Sequence, residues 1–391
     1  MEENNIWCNE EREAAYYLSN IAGIGSKSIF RLLEKTQSAR EAMLLSEENI
    51  GEILDKRAAK AFLHGRKNIK DIISPVKLKA EKGIDFIPYT SQEYPERLRK
   101  IPDPPFGLYV KGKLPAEHKP SVAIIGARAC SEYGKCVAEH FGKQLGAAGI
   151  QIISGMARGI DGIAQRGAIE GGGETYAVLG CGADVCYPQE NRQLYRDLPK
   201  HGGIISEYLP GTEARSALFP PRNRIISGLA DLLLVVEARK RSGTYITVMQ
   251  ALEQGKEVFA VPGRIIDTLS EGCNYLLTQG AGVAMTPEVI IEELSRKNYE
   301  IMQPNNSHFG NTAIKEDTNK ACFAGNNHES MLNQAIMSAL DITPVGIDDI
   351  YNKLKDSCGI SMAELLLELT KMQIAGKIKG EGNYYRLAYD L

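Results

Sequence analysis

Ser121-Val-Ala-Ile-Ile125-Gly-Ala-Arg128, Gln151-Ile-Ile-Ser154-Gly-Met-Ala-Arg-Gly-Ile-Asp161 and Thr175-Tyr-Ala-Val-Leu179-Gly-Cys-Gly182 share one design. Each is a short apolar, β-branched run that ends in glycine and gives way to a longer helical pattern. Runs of four or five residues without polar alternation fit strands covered on both faces. The pattern returns at Gly203 to Ser206, Leu232 to Val236, Glu257 to Val261 and Gly282 to Met285. Strand–helix alternation of this kind implies βαβ crossovers, hence an α/β fold with an extended Rossmann-like parallel sheet, helices on both faces, over about 76–300. Ligands of such sheets sit beyond the carboxyl ends of the strands.

Outside this block the periodicity changes. Residues 1–75 carry apolar positions at helical spacing (Ala14, Ala15, Leu18, then Ile29, Leu32, Leu33) and read as a helical domain. Within it, Ile21-Ala-Gly-Ile-Gly-Ser-Lys27 is either the glycine hairpin of a helix-hairpin-helix module, able to hold a phosphate, or a plain interhelical turn. Short strands in proline-stiffened loops between Asp85 and Gly112 lead into the sheet. Residues 301–329, rich in Asn, Ser, Gly and His, read as a flexible linker, and 330–391 as three short helices with a hairpin near Gly380 to Asn383, a winged-helix-like domain.

The 391 residues are 43% hydrophobic and 24% charged, which excludes a disordered or fibrous chain. A net charge of -3 supplies no overall positive field, so nucleic acid would need a local patch. Eight scattered cysteines form no C-x-x-C pair, so neither a zinc site nor a disulfide framework is expected. The acidic start Met1-Glu-Glu-Asn-Asn5 and the lack of a run near ~20 apolar residues lead us to expect a cytoplasmic protein without membrane insertion.

The strand-end loops are the candidate site: Gly126 and Arg128; Ser154, Gly155, Ala157, Arg158 and Gly159; Gly180 and Gly182; and, at a helix start further on, Ser242, Gly243 and Thr244. Glycines there let backbone N–H groups face an anion at a helix N-terminus. Phe219, Arg222, Asn223 and Arg224 add guanidinium forks and a ring on which a base can stack, with Tyr187 as a second ring. Arg222 and Arg224 have a second reading, as structural ion pairs with Glu207 or Glu237. Asp161 reads as a helix cap or, alternatively, as a catalytic group. The dinucleotide fingerprint G-x-G-x-x-G is missing after the first strand, so NAD and FAD are disfavoured and no cofactor is expected.

In order, Gly126-x-Arg128, Ser154-Gly-Met-Ala-x-Gly-Ile-Asp161, Tyr187-Pro188, Ser206-Glu207, Phe219-Pro-x-Arg-Asn-Arg224, Ser242-Gly-Thr244, Ala260-Val-Pro-Gly263 and Gly272-x-Asn274 resemble the bacterial DNA-processing protein A (DprA/Smf) family over about 85 to 295. The flanking regions resemble that family's end domains, a SAM/helix-hairpin-helix-like helical domain and a winged helix. The resemblance implies a protein that binds and protects single-stranded DNA and loads the RecA recombinase during natural transformation. It also implies, together with apolar surface near Leu276, Leu277 and Val283-Ala-Met285, a homodimer; the other reading of Leu276 and Leu277 is packing onto their own sheet. Where the family commonly has His, this chain has Gln165.

A nucleotide-binding phosphoribohydrolase-like enzyme on a similar fold is the alternative function. Its P-G-G-x-G-T-x-x-E loop would place a catalytic Glu at Thr247, which does not ionise at neutral pH. We therefore read a binder and not an enzyme. The winged-helix region balances Lys353, Lys355, Lys377 and Lys379 against Asp348, Asp349, Asp356, Glu364 and Glu368, so duplex binding and protein contact both stay open.

Overall fold

The computed structural model describes residues 3–68, 72–297, 327–340 and 345–387. Nearly all of the expected linker therefore lies outside the described residues. The chain divides into two compact units, 1–304 and 305–391.

The first unit is built on a sheet of nine strands: β1 (Ile84–Pro88), β2 (Gly107–Gly112), β3 (Ser121–Ile125), β4 (Gln151–Ser154), β5 (Thr175–Leu179), β6 (Gly202–Ser206), β7 (Leu232–Val235), β8 (Glu257–Ala260) and β9 (Gly282–Val283). Their order is β1-β2-β6-β5-β4-β3-β7-β8-β9. From β6 to β9 the pairing is parallel, whereas β2 runs antiparallel to β6 and β1 antiparallel to β2. The mostly parallel α/β sheet is thus present, with an antiparallel ribbon added at one edge by the proline-rich lead-in.

Alternate side chains of the central strands feed two cores. Val122, Ile124, Leu232 and Leu234 face α8 (Glu132–Ala147) and α9 (Ile160–Glu170). Ala123, Ile125, Leu233 and Val235 face α11 (Phe219–Leu229), α12 (Gly243–Glu253) and α13 (Glu271–Thr278). Both faces are covered, which is why these strands lack polar alternation. Helices α8 and α9 cross closely because Gly142 lacks a side chain: a Cβ there would lie 2.2 Å from the Ala164 carbonyl oxygen.

Upstream lie α1 (Glu3–Ser19), α2 (Ser26–Thr36), α3 (Ala39–Leu44), α4 (Glu47–Ile53), α5 (Lys56–Lys67) and α6 (Pro75–Lys82), several of them opened by a capping Ser or Asp (Ser38, Ser46, Asp55, Ser74). They share one hydrophobic core with β1, β2, β5 and β6, through Leu18, Leu32 and Phe62 against Phe86, Tyr109 and Ile204. The turn at 21–27 leads into α2, whose Ser26 hydroxyl donates to Glu207 and accepts from the Phe106 N–H, both at 3.2 Å. Short α7 (Glu96–Arg99) and α10 (Arg192–Asp197) complete the unit, followed by α14 (Pro287–Arg296).

The second unit comprises α15 (Asn327–Ala339), β10 (Val345–Gly346), α16 (Ile347–Cys358), α17 (Met362–Ile374) and a hairpin of β11 (Ile378–Glu381) and β12 (Tyr384–Leu387). Its core gathers Ile336, Ile350, Leu354, Leu365, Leu369, Met372 and Ile378. Ser361 and Glu364 form a reciprocal capping box on α17, and the hairpin turns at Gly382, whose φ of +61° suits glycine. Among the described residues no helix is long and apolar enough to cross a membrane.

Candidate functional site

Strand β3 lies between β4 and β7, so the chain leaves it to one face of the sheet and leaves β7 to the other. A crevice must open at the carboxyl ends of such a pair. There the structure has a cleft of about 580 Å³, walled by Gly126, Ala127 and Arg128 from the β3 loop, Ala157 and Asp161 from the β4 loop, Phe219, Arg222 and Asn223 from α11, and Arg239, Ser242, Gly243, Thr244 and Thr247 from the β7 loop and α12. A small recess shares Arg128, Phe219 and Arg222 with it and adds Gly155, Arg158, Gly180, Tyr187 and Pro188.

The glycines act through close approach. A Cβ at Gly126 would sit 2.9 Å from the Glu237 carbonyl oxygen, and Gly159, with φ +73°, would meet the Ala127 carbonyl oxygen at 2.3 Å. The loops after β3 and β4 are therefore stacked backbone on backbone. Asn191 locks the second loop by donating to the carbonyls of Met156 and Ala157 at 2.9 and 3.0 Å. At Gly180 a Cβ would be 2.6 Å from the Phe219 ring, so glycine lets that ring lie over the end of β5. Phe219 stacks on Tyr187 with centroids 5.6 Å apart, and the Arg128 guanidinium lies 5.2 Å from its centroid.

The helix N-termini differ in what they can offer. That of α8 is closed: Ser131 caps it, and the buried Glu237 carboxylate accepts from the Ser131 N–H at 2.9 Å and from its hydroxyl. That of α11 begins Phe219-Pro220-Pro221, where two prolines have no N–H to give. Helix α12 starts in the cleft wall with no side-chain cap on Ser242, so its first turn brings the positive end of the dipole to the cleft with no side-chain acceptor on its N–H groups.

The arginines separate. Arg128 is exposed at the rim, and Arg158 is exposed with a loose contact to Glu190 at 3.4 Å. Arg222 is 4% exposed; its guanidinium donates to the carbonyls of Gly155 and Val178, so only an edge of it reaches the cleft. Burial pulls its pKa down to about 10, with Asp161 opposing, so it stays charged at neutral pH. Arg224 is 9% exposed and paired twice with Glu207, at 2.7 and 2.8 Å, and with Asp103 at 3.3 Å. Of its two readings the ion pair with Glu207 is the one present. The helix explains the division: at 100° per residue, positions two apart point to nearly opposite sides.

Two further residues named from sequence also lie away from the cleft. The Ser154 hydroxyl is spent on the Ile124 carbonyl at 2.6 Å, and Gly182 is buried against the segment at Leu209 to Gly211. Asp161 is not a helix cap; Gly159 holds that position, and Asp161 accepts from the Gly155 N–H at 3.1 Å within reach of Arg222. Burial pushes its carboxyl up, against Arg222 and that N–H. Sequence reasoning missed Arg239, which lines the cleft beside exposed Lys240 and Arg241; a run of three cations in the loop between β7 and α12 was the available signal. Thr247, 3% exposed, occupies the cleft wall where the hydrolase alternative needs a carboxylate, so that reading is not favoured. Anions can be met here by backbone N–H groups and by Arg128 and Arg239, and a flat ring by Tyr187 and Phe219.

Residues 85–295 match the family model described as DNA recombination-mediator protein A. Protein Smf of Escherichia coli is 34% identical over 357 residues, 90% of this chain and 88% of its own length. DNA processing protein DprA of Bacillus subtilis is 42% identical over 225 residues, 57% of this chain and 76% of its own. The X-ray structure of DNA processing protein A from Streptococcus pneumoniae matches with a TM-score of 0.63 at 34% identity, covering 71% of this chain and 96% of that one.

Proposed function

The chain belongs to the DNA recombination-mediator protein A family, and from that premise we propose that its cleft binds single-stranded DNA with little sequence preference and presents it to the RecA recombinase. One observation carries the reading: the cleft joins an uncapped helix N-terminus and the rim cations Arg128 and Arg239 to the stacked pair Tyr187 and Phe219. Backbone N–H groups and guanidinium forks read phosphates, not base edges, and aromatic faces accept any base. A duplex hides its bases from such rings, so single strands are preferred.

A homodimer would place two clefts on one strand and raise the effective concentration at the second. Leu276 is buried in its own core, so the surface left for a partner copy is Val283 and Met285 at the sheet edge. No catalytic step is assigned to the site.

The test is competition between single- and double-stranded oligonucleotides of equal length in a gel shift. Parent protein should prefer single strands, and Arg128→Ala should lose about 1–3 kcal/mol of affinity, roughly 5- to 150-fold, with unchanged melting. Equal binding of both forms, or an unaffected Arg128→Ala protein, refutes the reading. For the hand-over, RecA filament growth on strands coated by a single-strand-binding protein should accelerate with the parent and not with Arg128→Ala.

A further inference from the structure

Beyond the cleft, the segment from Cys186 to Asp197 carries cations that the site just described does not use. Tyr187 stands in the recess with 40% of its surface exposed, and next to it the Cys186 thiol feels the guanidinium groups of Arg192 and Arg196, which oppose the effect of its burial. Arg192 and Arg196 are exposed, sit four apart on one face of α10, about 6 Å along its axis, and among the described residues neither is paired with a carboxylate. The nearby acid Asp197 is engaged by Gln193 and Lys200. Arg166 donates to Asn191, the residue preceding Arg192 in the chain, at 3.0 Å. The acid Glu190 in the same segment is met by Arg158 at 3.4 Å, so Arg192 and Arg196 are left as exposed cations on the element that follows the aromatic wall, on a chain whose net charge is negative.

We propose that a bound strand leaves the recess past Tyr187 and continues along α10, where Arg192 and Arg196 hold consecutive phosphates. This rests on the cleft binding single-stranded DNA and extends it by a direction and a length. A strand that only fills the cleft does not reach α10; a longer one does.

The experiment is fluorescence anisotropy of full-length protein with oligothymidylates of increasing length, at several salt concentrations. In the parent, affinity should continue to rise for strands longer than the cleft holds. The double variant Arg192→Ala/Arg196→Ala should bind short strands like the parent but lose that gain, and its log–log salt slope on long strands should fall by about 1.4, for two phosphates at ~0.7 each. Arg192→Lys/Arg196→Lys should retain most of both, and melting temperatures should match throughout. Identical length dependence and salt slope in the Ala variant overturn the track while leaving the cleft reading intact. Unchanged DNA binding with slower RecA hand-over also overturns it, by assigning the arginines to a protein partner. Loss of all binding in Arg128→Ala with the track variant unaffected has the same consequence, whereas an Arg128→Ala protein that binds like the parent removes the cleft reading itself.

Discussion

Replacing Arg224 by Ala should damage stability and spare DNA binding, the reverse of Arg128→Ala. Arg224 gives Glu207 two hydrogen bonds at 2.8 and 2.7 Å, and its Nε reaches the Asp103 carbonyl at 2.8 Å. The Arg224 and Glu207 side chains are 10% and 18% exposed, so removal leaves a mostly buried carboxylate with little beyond the Ser26 hydroxyl at 3.2 Å. Breaking a fully buried pair by deleting one partner costs about 3–5 kcal/mol; the residual exposure here brings the expectation to about 2–4 kcal/mol. For a large unit that is a melting shift of about 5–10 °C. Circular dichroism melts of Arg224→Ala, Glu207→Gln and the double variant supply a mutant cycle, in which the double variant should be less destabilised than the sum of the singles. Anisotropy at 20 °C, where all remain folded, supplies the binding half. An Arg224→Ala protein that melts like the parent and loses as much DNA affinity as Arg128→Ala would show that Arg224 faces the ligand.

Gly180→Val should displace the Phe219 ring, since even a Cβ at that position lies 2.6 Å from it; DNA affinity should fall severalfold with Phe219→Ala adding little on top, and full additivity of the two would contradict the contact. His140, part-buried on α8, has its pKa lowered by burial, with Glu288 opposing and Lys143 assisting. The native state therefore favours the neutral ring, and its contribution to stability, intact above the unfolded pKa near 6.5, is lost as pH falls through that value toward the lower native one. Urea unfolding at pH 7.5 and 5.5 should show a smaller acid-induced loss for His140→Gln than for the parent; equal losses would remove His140 as the cause.

The sheet was legible because its central strands are buried on both faces, which leaves uninterrupted runs such as Leu232 to Val236, and because each run ends in turn residues. The antiparallel placing of β1 and β2 was not, since Phe86 and Tyr109 show only that their segments are apolar, not which partner they take. At the site, glycine spacing found the strand ends, but it could not say which loops converge: Gly180 reaches the recess while Gly182, two residues later, turns away. The sequence offers Arg222 and Arg224 as one cluster of guanidinium groups, with nothing in their spacing alone to separate them. Once Pro220 and Pro221 are seen as the first turn of a helix, their opposite directions follow from the helical period.

The two margins of the sheet are finished differently. On one, the Phe86 carbonyl of β1 is taken by the Arg12 guanidinium at 2.8 Å, and α1 and α6 cover the rest. On the other, β9 is two residues long and is followed by Thr286-Pro287, where a ladder cannot continue. Neither margin offers another chain a template for strand addition, so growth into fibrils through the sheet is blocked at both ends. Association through this unit is then left to its side-chain surfaces, and a self-complementary surface closes after a pair instead of propagating.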